Sequence, residues 1–407
     1  VTFAVSAPPG ETWESEKRSF GWINPSRPRL ALKVAYPEKR SRTMNLGLRQ
    51  IKDILPEKLA RNLSRYRCAH VHALVGNPRQ GGAYSMFGGE GSHEHFTRIY
   101  LQTGTPQPFR YGFHGGNWVP KAMSHARRFG MTVISGLPIP VDLKRLVLKV
   151  PQFVSMSVDL RSSEEDFRKT MSSSALSDLR VIRKGNYDYA VHRDANWTEE
   201  FFTTFHEKAI VGRHRSEAMV MQRREIAESI AEKGWEFVCV TRDRQCLAAV
   251  LCHLETDGYH MARLGWREGD PALVKEGVLS ALYWFAMRRA RELGAQRLVL
   301  GGSPPYLEDG LFRYKAKWNA VLDAPNPAFN VHHILLDSAH PRVGKMLKTR
   351  SILAIGADDR FEVYSNTDPK TQKLPALLKA GIARWYRPRH ESGNFSFAAV
   401  PDWPAHH

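Results

Sequence analysis

The chain has 407 residues, 42% hydrophobic and 10% aromatic, with 59 lysines and arginines against 41 aspartates and glutamates, a formal charge of +18. That length exceeds one ordinary core and predicts two or three domains, and the composition excludes global disorder. The charge favours anionic partners: nucleic acid, anionic lipid or a phosphate-bearing co-substrate.

Residues 1–45 are rich in proline, serine and basic side chains and read as an irregular lead-in. Helical spacing runs over 46–66, broken at Pro56, and "CAHVHALVG" at 68–76 reads as a strand. "GGAYSMFGGEGSHEHF" at 81–96 reads as a Gly-rich loop without the Lys-Ser/Thr ending of a phosphate loop. The stretch 119–139 reads helix, glycine stop, strand. The first residues lack a basic region followed by a long apolar run, and the longest apolar stretch, "MTVISGLPIPV" at 131–141, is too short and broken to span a bilayer. A cytoplasmic protein without a transmembrane segment is expected, with peripheral membrane contact left open.

A second unit begins near Gln152. "QFVSMSVDL" is a strand, "SSEEDFRKTM" a helix with a serine cap and acids in its first turn, and "SALSDLRVIRKG" a basic helix. Arg180, Arg183 and Lys184 fall on one face of it, as an anion-binding group or as a solvated face. "YDYAVHRD" alternates like a strand, and an aromatic-faced helix leads to Arg213, His214 and Arg215, a second basic cluster. Residues 235–266 form three strands joined by two turns. The helical pattern over 271–294 opens at Pro271 and stops at Gly294. "AQRLVLGGS" is an apolar strand, "GLFRYKAKWNA" a basic and aromatic helix, and "FNVHHILLD" a further strand. The tail ends in "PALLKAGIARWYR", read as a basic helix.

The cysteines, Cys68, Cys239, Cys246 and Cys252, form no regular framework, which favours a reducing compartment. Cys239, Cys246, Cys252 and His253 lie close together, but Cys239 and Cys252 sit in apolar strand-like runs where cysteine acts as a small hydrophobe, so no metal is expected. Neither a Ser-His-Asp order nor an HExxH motif stands out.

This element order, ending in "GLFRYKAKWNA", resembles the GNAT acyltransferase fold, and more narrowly the Fem-type peptidyltransferases and CelD-like acetyltransferases. The resemblance rests on "VDLRSSEEDFRKTM" with "LRVIRKGNYDYAV", on "FHEKAIVGRHR", on the hairpins over 236–265, and on "RYKAKWNA". It covers about residues 150–330. It implies an α/β protein of tandem GNAT-like (acyl-CoA N-acyltransferase) domains, with mixed central sheets flanked by helices. The expected limits are a GNAT-like half over 1–150, an acyltransferase domain over 151–335 and a C-terminal extension over 336–407.

The resemblance further implies an N-acyltransferase that moves an acyl or aminoacyl group onto an amine of a small molecule or of a peptidoglycan or lipid precursor. No tightly bound cofactor is implied. The co-substrate is acyl-CoA, which is favoured, or aminoacyl-tRNA; the start of the 271–294 helix offers only Lys275 and Gly277 where coenzyme A users carry more glycine. The alternative from another class is a non-catalytic basic protein that binds RNA or an anionic surface.

In this fold two neighbouring strands part and expose backbone N–H groups to the reacting carbonyl. The resemblance puts that gap at Gly265, Gly301 and Gly302, with Lys315 stabilising the oxyanion or the donor phosphate. Tyr306 is the expected proton donor to the leaving group. Arg180, Arg183, Arg213, Tyr259, Arg263 and Trp318 are the expected substrate contacts, with Trp318 either a stacking platform or core. Asp309, Glu308 and His260 are candidate bases by position. The oligomeric state is left open.

Overall fold

A computed structural model of the chain describes residues 118–137, 139–211, 223–372, 374–389, 395–401 and 403, and three strands before them. Those strands are β1 (Ala69–Leu74), β2 (Ala83–Gly88) and β3 (Tyr111–Phe113). The lead-in over 1–45, the helix over 46–66 and Cys68 lie outside the described residues. The Gly-rich stretch at 81–96 is corrected in part: its first half is strand β2, because tyrosine, methionine and phenylalanine between the glycines suit a pleated ladder.

Helix α1 (Trp118–Phe129) ends at Gly130, whose φ of +90° takes the left-handed turn that L side chains avoid. It feeds β4 (Met131–Ser135), buried along its whole length. Helix α2 (Val141–Lys144) and β5 (Val147–Pro151) follow. The chain then builds β6 (Val154–Asp159), α3 (Glu164–Thr170), α4 (Ser173–Lys184) and β7 (Asp188–His192). Ser163 and Ser172 cap α3 and α4, accepting from Asp166 N and Ala175 N.

Helix α5 (Trp197–Glu200) continues into π-helical turns over Phe201–Val211, and α6 spans Arg223–Lys233. The antiparallel meander β8 (Glu236–Arg242), β9 (Gln245–Glu255) and β10 (Gly258–Trp266) comes next. The long helix expected over 271–294 is two: α7 (Pro271–Lys275) and α8 (Val278–Glu292), broken at Gly277 with φ +90°. Then come β11 (Arg297–Ser303), α9 (Gly310–Lys317) and β12 (Val321–Leu322). Together these strands make a seven-stranded sheet in the order β12-β6-β11-β10-β9-β8-β7, antiparallel except for β10 against β11. Helix α8, buried at ten of its positions, packs on it.

The remaining elements are β13 (Val331–Leu336), α10 (Pro341–Thr349), β14 (Ile352–Ile355), β15 (Phe361–Tyr364), α11 (Ala376–Ala380), β16 (Ile382–Pro388) and β17 (Phe397–Ala399). The expected terminal helix is thus only α11; Gly381 ends it and "IARWYRP" pairs as a strand. All these strands join β1–β5 in a ten-stranded mixed sheet, β17-β16-β15-β14-β5-β13-β4-β2-β1-β3.

The two mixed sheets with flanking helices are the expected fold class, but the expected boundaries need correction. Strand β13, assigned to the 151–335 unit, lies between β5 and β4 in the other sheet, and the 336–407 tail supplies that sheet's further strands. The seven-stranded unit is therefore an insertion between the neighbouring strands β5 and β13. Its two connections run side by side: Gln152 N donates to Asn330 O at 2.7 Å, and the rings of Phe153 and Phe329 meet edge to face at 5.8 Å. The tail also covers the inserted unit, since Leu353, Phe361, Val363, Ile382 and Trp385 share one core with α8. Among the described residues no helix is long and apolar enough to cross a membrane.

Candidate active site

Strands β10 and β11 are paired at only two positions, Tyr259 with Leu298 and His260 with Val299. Both strands lose register directly afterwards. On β10, the two steps from Met261 to Arg263 face one step of β9; on β11, the three steps from Val299 to Gly302 face two steps of β6. Each strand thus carries one extra residue just past the last shared pair. A bulge bends its strand and strengthens the local twist, so the two bulges together turn the strands apart. The pairing of β10 with β11 stops before Gly301, where the two strands bulge.

Gly301 has φ +69°, which the β11 bulge requires and which favours glycine. Successive carbonyls of a regular strand point in opposite directions. Here the bulge turns two of them to one donor: Lys315 Nζ donates to both Gly301 O and Gly302 O, each at 2.9 Å. Lys315 reaches them from α9, which begins where Asp309 accepts from Phe312 N and ends with Lys315 on its buried side. Its side chain is 2% exposed. Burial, opposed only by the charges of Asp309 and Asp323, pulls its ammonium down to a pKa of about 7. Two N–H bonds satisfy the two carbonyls in either protonation state; the third position on nitrogen holds a proton in one and a lone pair in the other.

Arg263 lies just past the β10 bulge. Its Nη1 donates to Ala262 O at 2.7 Å, while Nε and Nη2 are buried without a hydrogen-bond partner. Desolvation alone shifts its pKa, downwards. A buried guanidinium left this way is suited to an anionic group.

His206, which the sequence did not single out, stands at the same end of β10. Its Nδ1 is 2.8 Å from Leu264 O, and a carbonyl only accepts, so Nδ1 carries the proton. Nε2 is then a buried acceptor without a partner. Desolvation first, and the nearby Arg263 charge, hold its pKa below the usual value, so the ring is neutral. The signal that could have found it is weak: a lone histidine among Phe201, Phe202 and Phe205.

The other expected residues separate into groups. Gly265 is covered by helix backbone: a Cβ there would stand 2.5 Å from the Phe205 carbonyl, so this glycine lets the π-helical turns lie directly on β10. Tyr259 is corrected from cleft to core: it is 1% exposed and donates to Glu236 at 2.7 Å, where Arg289 and Arg193 also bind. Trp318 is fully buried and belongs to the core. The backbone of Tyr306 bridges to Ile352, its ring packs on the ten-stranded sheet's core, and the Arg350 guanidinium lies 5.0 Å over it. The candidate bases are structural as well. Asp309 caps α9, Glu308 accepts from Ser351 N and Oγ at 2.6 Å each, and His260 bonds Asp257.

Arg180 and Arg183 are exposed on α4. The same helix seats Val181 over Gly277, where a Cβ would meet Val181 Cγ1 at 2.8 Å. The expected pyrophosphate cradle at Lys275 and Gly277 is thus filled by a side chain, and Lys275 points to solvent. Asp178 of α4 accepts from Ser280 in the first turn of α8 and pairs with Lys317. Arg213 lies outside the described residues.

No family model and no curated protein matches this sequence. Among solved structures the chain is similar to L-PGS from Bacillus licheniformis, at 12% identity over 69% of this chain and 84% of that one, with a TM-score of 0.34. It is similar to FemX at 12% identity, covering 66% and 84%, with a TM-score of 0.36. A GCN5-related N-acetyltransferase from Kribbella flavida matches at 12% identity, covering 77% and 69%, with a TM-score of 0.25.

Proposed function

We propose that this protein is an acyltransferase that moves an acyl or aminoacyl group from an ester or thioester donor onto an amine. The observation that carries the reading is the parted pair β10 and β11, with Lys315 buried against the carbonyls of Gly301 and Gly302. Beyond the two shared pairs the β10 and β11 backbone no longer bonds across to its neighbour, which supports a role for it beside a reacting carbonyl. In the transfer a C–N bond forms and a C–O or C–S bond breaks. The amine gives up one proton and the leaving atom takes one. A lysine with a pKa of about 7 is matched to that exchange at neutral pH, and in the protonated state it serves as the acid for the leaving group. The neutral His206 supplies a proton acceptor at the same end of β10.

The filled space over Gly277 and the Asp178 carboxylate at the start of α8 favour an aminoacyl ester of RNA over coenzyme A. A pyrophosphate needs the open, positive end of a helix, and here Val181 packs against Gly277 at that end while the Asp178 carboxylate bonds the Ser280 hydroxyl in the first turn. The charge of +18 favours RNA in the same direction. The acceptor class we infer is an amine on a small molecule or a cell-envelope precursor. The test presents labelled aminoacyl-tRNA and labelled acyl-CoA separately, with a panel of amines. Transfer from the RNA ester that is lost in Lys315→Met is expected. Salt-sensitive RNA binding without transfer from either donor returns the protein to the non-catalytic class.

A further inference from the structure

The β9–β10 hairpin turns at Thr256 and Asp257, at the closed end of β10, away from the gap. His253 on β9 stands directly opposite His260 on β10. Cross-strand partners share a face, and Glu255, two residues along from His253, shares it too. The residue opposite Glu255 is Gly258, which contributes no side chain there. Register alone therefore gathers two imidazoles and a carboxylate on one open face.

The geometry is convergent. The two imidazole rings stack with centroids 5.0 Å apart and planes 21° from parallel. His253 Nε2 lies 2.9 Å from Glu255 Oε1; His260 Nε2 lies 2.7 Å from Asp257 Oδ1 and 4.0 Å from Glu255 Oε2. One ligand atom each from His253, Glu255 and His260 fall within 4.8 Å of one another. Trp235 stacks on His253 with centroids 4.1 Å apart and fixes that ring. The side chains of His253 and His260 are only 12% and 20% exposed, while the two carboxylates are 56% exposed, so the cluster is held from beneath and open above.

We propose that His253, Glu255 and His260 form a site for one divalent transition-metal ion of the Zn²⁺ type, with Asp257 beside His260. Two imidazole nitrogens with carboxylate oxygens suit Zn²⁺, Co²⁺ or Ni²⁺. Metal–ligand bonds of about 2.0–2.2 Å in a tetrahedron put ligand atoms about 3.4 Å apart, and the present spacings bracket that value. Small rotations of exposed carboxylates close the difference. The cysteines near His253 in sequence take no part: Cys252 is the adjacent strand residue, so it points to the opposite, buried face. The ion would pin the hairpin where β10 still pairs with β11, stiffening the closed end of the diverging strands.

The experiment uses the untagged full chain, stripped of metal and titrated with Co²⁺ at neutral pH while its visible absorption is followed. Zn²⁺ is then added as competitor and as an additive in thermal melts. Expected are one Co²⁺ per chain, displacement by Zn²⁺ and a raised Tm with Zn²⁺. His260→Gln and Glu255→Gln, with unchanged circular dichroism, should each weaken binding at least tenfold and lose the Tm rise. Either of two results overturns the proposal: no stoichiometric Co²⁺ spectrum in the wild-type chain, or undiminished binding in both variants.

Discussion

Lys315 holds an ammonium where water does not reach, and two consequences can be measured. Its folded-state pKa, about 7, lies below the ordinary 10.5. Between those values the unfolded chain binds a proton that the folded chain does not, so stability rises with pH across that window and levels off below 7, where both states hold the proton. The contribution is on the order of a few kcal/mol. Urea melts from pH 7 to 10 should show this rise in the wild-type chain and its absence in Lys315→Met. In kinetics the same variant should lose about 10²–10⁴ in kcat, and the decline of wild-type rate above pH 7 should vanish with it. Arg263 gives the complementary case. Its guanidinium, bonded at Nη1 alone with Nε and Nη2 buried without partners, costs stability in the free protein, so Arg263→Met should leave Tm unchanged or raise it while KM for the anionic substrate rises. A fall in Tm with KM unaltered would make Arg263 a structural residue. Lys315 was legible in the sequence because a basic residue amid aromatics after an apolar strand is conspicuous. His206 was not, because its significance comes from the bond to Leu264 O, 58 residues away.

At the level of elements, the site is made by register. Strand positions, the meander and the α/β alternation were legible, because period-2 and period-3.6 patterns are local. The two bulges were not, since a bulge is a relation between strands; the one on β11 leaves only Gly301 as its trace and the one on β10 leaves none. Gly265 and Gly301 looked alike in sequence and differ in purpose: one admits helix backbone, the other takes a left-handed turn. Substitution separates them. Gly265→Ala drives a methyl into the Phe205 backbone and should cost about 1–3 kcal/mol, with the π-helical turns displaced. Gly301→Ala meets only Met261 O at 3.5 Å and should cost the left-handed penalty alone, about 1–2 kcal/mol, while lowering kcat because the carbonyl that holds Lys315 shifts. Equal stability losses and equal kinetic effects for the two variants would contradict this division.

For the whole molecule, the sequence indicated two α/β units but not how they are nested. A strand's own pattern does not say which sheet it joins, so β13 read as the end of one unit when it lies within the other. A chain cut after residue 335, at the boundary the pattern implies, loses β14–β17 and with them Leu353, Phe361, Val363 and Trp385, uncovering the α8 core they share. That fragment should bind a hydrophobic dye and show no cooperative melt; a sharp two-state transition would refute the nesting. The nesting also sets a schedule during synthesis on the ribosome. Strands β4 and β5 emerge first but wait, without the neighbour that belongs between them, until some 180 further residues have been made (151 to 331). Meanwhile the seven-stranded unit can form its own ladders, complete from β6 to β12. The older half of the chain is thus the last to close, and the β4 and β5 edges that take β13 stay open for that interval.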